Sequence, residues 1–316
     1  MNWFILTIIS YLMLALVNLG DKFIVDKLLK SSRTYTFIVC VLGGIVILLA
    51  PWFLNWPGFS FFIVNMFAGF LFALALWSMY ESLKNGETTR VAVVIGSIIP
   101  VFTIFFSLFF LREKFTVYQW IGVLFLIIGM IIISFVVSRR NKWRDFFKRL
   151  GSVFCGSYDK KWIFLAILSA FLYALYFIIT KYAYSRQEFL SSFIWIKSGS
   201  ALLVLLFLFD KKTRIEIKQN FTAKSKKTKK TKGGFVFINQ FIGALASFMQ
   251  SYAVYLGPVA IINALQGVQY AFLLILGIIF SKFFPKILKE DISKKTLIKK
   301  IIAIISVAIG LYFMSV

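Results

Sequence analysis

WFILTIISYLMLALVNLGDK, residues Trp3–Lys22, lies over WIFLAILSAFLYALYFIITK, residues Trp162–Lys181, without a gap. Trp3 meets Trp162, Leu6 meets Leu165, and Ser10 meets Ser169. Ala15-Leu16 meets Ala174-Leu175, and Lys22 meets Lys181. A second pair matches more weakly: YESLKNGETTRVAVVIGSIIP from Tyr80 lies over YAVYLGPVAIINALQGVQYAF from Tyr252. Recurrence in one register marks a structural unit used twice. Each unit opens on an apolar run of membrane-spanning length, about 20 residues for about 30 Å of hydrocarbon.

Such runs fill the chain. Of 316 residues, 60% are hydrophobic, against about 45–50% in soluble domains. Ten spans are predicted: Trp3–Gly20, Thr34–Leu54, Ser60–Tyr80, Thr89–Leu111, Val117–Val137, Trp162–Tyr184, Phe189–Phe209, Phe235–Leu256, Val259–Ser281 and Leu297–Val316. An outer-membrane barrel would show alternating segments of about ten residues instead. Met1–Gly20 has no basic flank or small-residue cleavage site and reads as a retained first helix. The fold class expected is an all-α polytopic membrane protein of two five-helix repeats. Residues 1–138 form the first repeat, 139–161 a basic cytoplasmic linker, and 162–316 the second repeat.

Five is odd, so the second repeat enters the membrane upside down, an arrangement common in secondary transporters. The charges agree. Loops after odd-numbered spans hold 31 Lys and Arg, and loops after even-numbered spans hold 4. Positive charge favours the cytoplasm, which places the odd loops inside and both termini outside a cell (plasma) membrane. Net charge is +24, and its confinement to loops points to anionic lipid head groups rather than nucleic acid.

In RRNKWRDFFKRLGS, Trp143, Phe146, Phe147 and Leu150 fall at helical spacing among basic residues, the pattern of an interfacial helix. A solvated linker is the other reading. Residues 210–233 take in all but the last glycine of KQNFTAKSKKTKKTKGG, a low-complexity basic stretch, and are read as a basic flexible loop. Histidine is absent, and neither Cys40 nor Cys155 suggests a disulfide framework. No metal or cofactor is expected.

SIIPVFTIFFSLFFLREKFTVYQWIGVLFLIIGMIII, Ser97–Ile133, resembles the hallmark of the drug/metabolite transporter superfamily, in its EamA-like branch. The resemblance rests on Pro100 in the fourth span, Glu113 at the turn, and Gly122 and Gly129 in the fifth span. In the second half Phe272 replaces Pro100 and Pro285 replaces Glu113, while Gly310 answers Gly129. The resemblance implies transport of small metabolites such as amino acids, sugars or nucleotide derivatives, and cytoplasmic termini. On orientation the charge count is followed. Glu113 is expected to cap the fifth helix.

Polar side chains at membrane depth mark cavities or helix contacts. Asn263, Gln266 and Gln269 stand at i, i+3 and i+6 on the ninth span, an amide stripe that lines a cavity or glues helices. Gln240 on the eighth span, Asn18 on the first and Tyr176 on the sixth are further substrate-binding candidates. Lys197 falls eight residues into the seventh span, about 12 Å deep at 1.5 Å per residue. It either snorkels or faces the pocket and favours a carboxylate- or phosphate-bearing solute. All twelve Asp and Glu lie outside span centres, which argues against a binding-site carboxylate. The function expected is secondary transport of a small metabolite by alternating access, with a flippase for a lipid-linked precursor as the alternative. No catalytic constellation appears, so no enzyme is expected. The partners expected are a small-molecule substrate and anionic lipids at the basic loops, with a homodimer admissible.

Overall fold

The structure, a computed structural model, describes residues 2–27, 31–85, 88–137, 161–222, 226–283 and 294–315. The regular elements among them are all helical. In chain order they are α1 (Trp3–Lys27), α2 (Ser32–Gly44), a 3-10 stretch (Ile45–Leu49) and α3 (Ala50–Phe53). Next come α4 (Phe59–Asn85), α5 (Thr88–Phe106) with a π-helical turn (Ser107–Leu111), and α6 (Val117–Val137). The remainder are α7 (Lys161–Tyr184), α8 (Phe189–Leu205) with a 3-10 stretch (Leu206–Phe209), α9 (Lys211–Thr222), α10 (Lys226–Leu256), α11 (Val259–Ala264), α12 (Gln266–Phe283) and α13 (Lys294–Ser315).

Among the described residues, seven helical stretches are long and apolar enough to cross a membrane, and Val117–Gly129 and Ile304–Phe313 are shorter apolar helices. This is an all-α multi-pass membrane protein. The amide- and serine-bearing α10 is not among the seven. Leu48, Phe110, Phe209 and Phe241 are exposed around the outside, as lipid-facing side chains must be because lipid tails are apolar.

Loop partnerships sort the ends into two faces. Arg33 pairs with Asp210 at 2.7 Å, and Ser32 hydrogen-bonds Glu81. These contacts join the ends of α1–α2, α4 and α8–α9. At the opposite face the Asn55 amide donates to Glu188 at 2.9 Å, and Asn65 donates to Gln187 at 2.9 Å. The first face is called basic below, and the second neutral.

Two sequence expectations change here. Residues 210–233 are not one flexible loop: α9 covers Lys211–Thr222 and α10 begins at Lys226, with only 223–225 outside the described residues. Composition hid a cap. The Asp210 carboxylate accepts from Thr213 at 2.8 Å and its carbonyl from the Arg214 N–H at 3.0 Å, which starts α9. The ninth span is broken. α11 stops at Ala264 and α12 starts at Gln266, with the Val268 N–H turning back to the Leu265 carbonyl at 2.9 Å. The interfacial helix expected within 139–161 falls outside the described residues, apart from Lys161, which opens α7.

Glycines permit the tightest crossings. A Cβ on Gly69 of α4 would lie 2.2 Å from the Ile196 carbonyl oxygen of α8, and one on Gly199 would lie 2.8 Å from that of Met66. The two backbones therefore touch. At the α6–α13 crossing a Cβ on Gly310 would lie 3.0 Å from the Gly122 carbonyl oxygen. Ser306 donates to the Phe125 carbonyl beside it at 2.8 Å. Backbone contact through small residues is how helices associate where water supplies no driving force.

Candidate functional site

A cavity of about 260 Å³ lies between α1, α2, α4, α5, α7, α8, α10 and α12. It gathers six of the seven binding residues expected from sequence: Asn18, Tyr176, Lys197, Gln240, Gln266 and Gln269. Asn263 is not among them. It is buried against α5, where its amide donates to Thr103 Oγ1 at 3.3 Å. The break at Leu265 interrupts the stripe, so Asn263 packs a helix contact while Gln266 and Gln269 face the cavity. Gln266→Leu is therefore expected to cut solute uptake in proteoliposomes at least about tenfold, with little change in thermal unfolding. Asn263→Leu is expected to act the other way, changing unfolding and sparing uptake, within the range of about 1–3 kcal/mol for a buried polar group.

Lys197 does not snorkel. Helix α8 starts at Phe189, as the hydropathy expects, so the side chain is far from either end and 6% exposed. Its ammonium donates to Ser247 Oγ of α10 at 3.1 Å. It also lies 4.3 Å from the centre of the Phe72 ring and 5.4 Å from that of Phe193. An ammonium has three donors, and one is used here among the described residues. No carboxylate is ion-paired to it among the described residues. Aromatic faces return about 2 kcal/mol to a desolvated cation, less than the several kcal/mol that burying an ion costs.

The polar wall comes largely from α10, where Gln240, Ser247, Gln250 and Ser251 face inward. Gln250 donates to the Tyr11 hydroxyl at 3.4 Å, and Tyr11 donates to the Ile262 carbonyl at 2.7 Å. Tyr173 and Tyr176 of α7 and Tyr270 of α12 add broad apolar surface with hydroxyl edges. A few polar groups on mostly apolar walls are the makings of a small-molecule site.

One site residue was excluded by sequence. The predicted first span stops at Gly20, one residue short of Asp21, yet α1 runs on to Lys27 and Asp21 lines the cavity. Its carboxylate accepts from Tyr35, from Asn239 Nδ2 at 2.7 Å and from the Tyr80 hydroxyl at 3.4 Å. The cavity thus holds a carboxylate, where the sequence argues against one at a binding site. A signal was available: Tyr35, Tyr80 and Asn239 are polar residues in three apolar runs, and they converge on it.

Glu113 caps a helix, but not the fifth. It accepts from the N–H groups of Val259 at 2.9 Å and Ala260 at 3.4 Å. These open α11, whose N-cap is Pro258 with no side-chain cap of its own. The sequence places Glu113 near the start of α6, and only the tertiary fold brings α11 to it. Burial holds its carboxyl above the ordinary range, and the two N–H donors pull it part of the way back. On the other side of the same turn, Lys181 donates to the carbonyls of Val254 at 2.9 Å and Gly257 at 2.8 Å. The turn is held by one charge from each half of the chain, both favourable to the helix ends they face. Of the other hallmark residues, Pro100 stands within α5, one turn past Gly96. There a Cβ would meet the Tyr270 ring at 2.2 Å. Gly122 supports the α6–α13 crossing, and Gly129 lies in the same helix.

Comparison with known proteins adds the following. The family described as "EamA-like transporter family" matches residues 1–135 and 160–316. No curated protein sequence matches the chain. Among solved structures, a crystal structure described only as that of a protein superposes with a TM-score of 0.64 at 12% identity. The match covers 97% of this chain and 94% of the other. At that identity the likeness concerns the fold alone.

Proposed function

The chain belongs to the EamA-like transporter family, and on that premise we propose that it moves a small metabolite across the cell membrane by alternating access. Lys197 receives a carboxylate or phosphate on that solute. The observation that carries this reading is the unneutralised ammonium on a cavity of about 260 Å³. An anion entering the cavity would supply the missing charge and the missing acceptors. Gln266 and Gln269 line the same cavity and offer donors and acceptors for the rest of the solute.

Helix pairings support two inverted five-helix repeats, residues 1–138 and 162–316, as the moving bodies. The packing of α4 on α7 is mirrored by α10 on α1, and that of α5 on α7 by α12 on α1. The α2–α8 and α6–α13 pairs are their own mirrors. Two pairings lack a close mirror. Helix α4 packs closely along α2 and α8, whereas α10, its counterpart, meets them at few positions. The molecule is thus tight towards the neutral face and looser towards the basic one. With the basic face in the cytoplasm and the termini outside, this is an inward-facing arrangement.

Phe37-Ile38 and Gly43 of α2 repeat as Phe193-Ile194 and Gly199 of α8. Gly199 is pressed on α4, while a Cβ on Gly43 would meet only the Lys197 Cδ, at 4.0 Å. In the opposite state α10 would close on Gly43 as α4 now closes on Gly199. Gly43→Leu is accordingly expected to fold and insert normally while net uptake falls at least about tenfold. Gly43→Leu protein with wild-type uptake would contradict that closure.

The test of function is uptake into proteoliposomes of labelled carboxylates, phosphate esters and uncharged solutes, beside a lipid-translocation assay. Saturable uptake of an anionic solute with no lipid movement is expected. Lipid movement alone would support the flippase.

A further inference from the structure

Asp21 has no part in recognising an anion. Its surroundings are nevertheless the most connected polar group on the cavity wall. Asn239 of α10 donates to Asp21 of α1, Tyr35 of α2 donates to the same carboxylate, and Gln240 of α10 donates to the Tyr35 hydroxyl at 2.7 Å. The ring closes through adjacent residues of α10. It joins α10 to α1 and α2 near the basic face, where α10 otherwise meets α2 at few positions. Gly20 makes room for it, since a Cβ there would lie 2.0 Å from Asn239 Oδ1.

We propose that Asp21 is a proton-binding site whose ionised form latches α10 to α1 and α2. One proton taken from water in the cavity releases the latch. The carboxylate accepts every hydrogen bond it makes in this structure. Protonation turns one of its oxygens into a donor, and Tyr35 and Asn239 then compete for fewer lone pairs. The hydroxyls bonded to it are those of Tyr35 and Tyr80, from α2 and α4, and Tyr173 of α7 lines the same cavity. Among the described side chains, α10 contributes the amides of Asn239 and Gln240, and α12 brings Gln269 and the Tyr270 hydroxyl to the same cavity. No Lys or Arg is ion-paired to Asp21 among the described residues, so a proton is the neutralising cation the site can take. This goes beyond the transport reading and rests on it only for the meaning of opening and closing.

Cys40 lines the cavity and reports on access. With Cys155 replaced by Ser it is the only thiol, since the chain has two cysteines. The rate of Cys40 labelling by N-ethylmaleimide is to be measured in purified protein from about pH 5 to about pH 8, spanning the range in which a buried carboxylate titrates. Each rate is divided by that of Asp21→Asn at the same pH, which cancels the pH dependence of the thiol itself. The latch is formed in this structure, whose cavity is open, so the ratio is expected near one at acid pH and to rise about tenfold as Asp21 ionises and the latch holds α10 in the open arrangement. A ratio constant across the range overturns the proposal and leaves Asp21 a structural hydrogen-bond centre. Asp21→Glu should keep the pH dependence. Gly20→Ala, which evicts the Asn239 amide without touching the charge, should lose that excess at alkaline pH, and labelling as fast as wild type there also overturns the proposal. No transported solute enters the assay, so either outcome leaves the reading of Lys197 where it stands.

Discussion

Lys197→Met protein is expected to transport anionic solutes at least about 100-fold more slowly than wild type, equal to about 2.7 kcal/mol. That magnitude is ordinary for a buried charge that loses its partner. The same substitution should raise the thermal unfolding midpoint. It removes an ammonium that is 6% exposed and holds one serine hydroxyl and two aromatic faces. Opposite signs in activity and stability identify a residue kept for binding and not for packing. Lys197→Arg should retain part of the activity, because the charge survives while the planar fork fits the Phe72–Phe193 space less well. Uptake kinetics in proteoliposomes and unfolding followed by tryptophan fluorescence check both. Loss of stability in Lys197→Met with uptake unchanged would make the lysine a structural residue.

Gly69→Ala is the smallest change with the largest structural consequence. The added methyl would lie 2.2 Å from the Ile196 carbonyl oxygen and 2.6 Å from the Ser200 nitrogen. Both are backbone atoms of α8, so no side chain can rotate away, and α4 and α8 must separate. A cost of about 3 kcal/mol, the upper end for overpacking, is expected. Asn65, whose amide accepts from Ser192 at 2.8 Å and donates to Gln187 at 2.9 Å, would be pulled from its partners as well. Size-exclusion profiles in detergent should show a depleted, broadened folded peak. Gly43→Ala, at an equally apolar helix position, should leave that profile unchanged, its nearest neighbour being a flexible lysine carbon at 4.0 Å.

The sequence carried the membrane class, because apolar runs of spanning length need no tertiary information. It also singled out Lys197, which is buried on the cavity wall, because a lone cation deep in a span has few structural explanations. What it missed depended on where helices stop. The apolar run ends at Gly20, yet α1 continues to Lys27, since α2, α4 and α10 bring partners to Asp21. Asn263, Gln266 and Gln269 share one face only on an unbroken helix, and the break at Leu265 sends Asn263 to Thr103. Glu113 reads as a cap for the helix next in sequence. It caps α11, 146 residues away, because that helix begins with Pro258 and has no acceptor of its own. Basic composition suggested disorder after Asp210, whereas a single local cap makes α9.

The central claim is that an anion binds beside Lys197, and protection of Cys40 tests it most directly. Both residues line the cavity. In Cys155→Ser protein, carboxylate- and phosphate-bearing solutes from the uptake panel should slow maleimide labelling of Cys40 in a saturable manner. Uncharged analogues should not, and Lys197→Met should abolish the protection. Equal protection by uncharged analogues, or protection that survives Lys197→Met, would contradict the account.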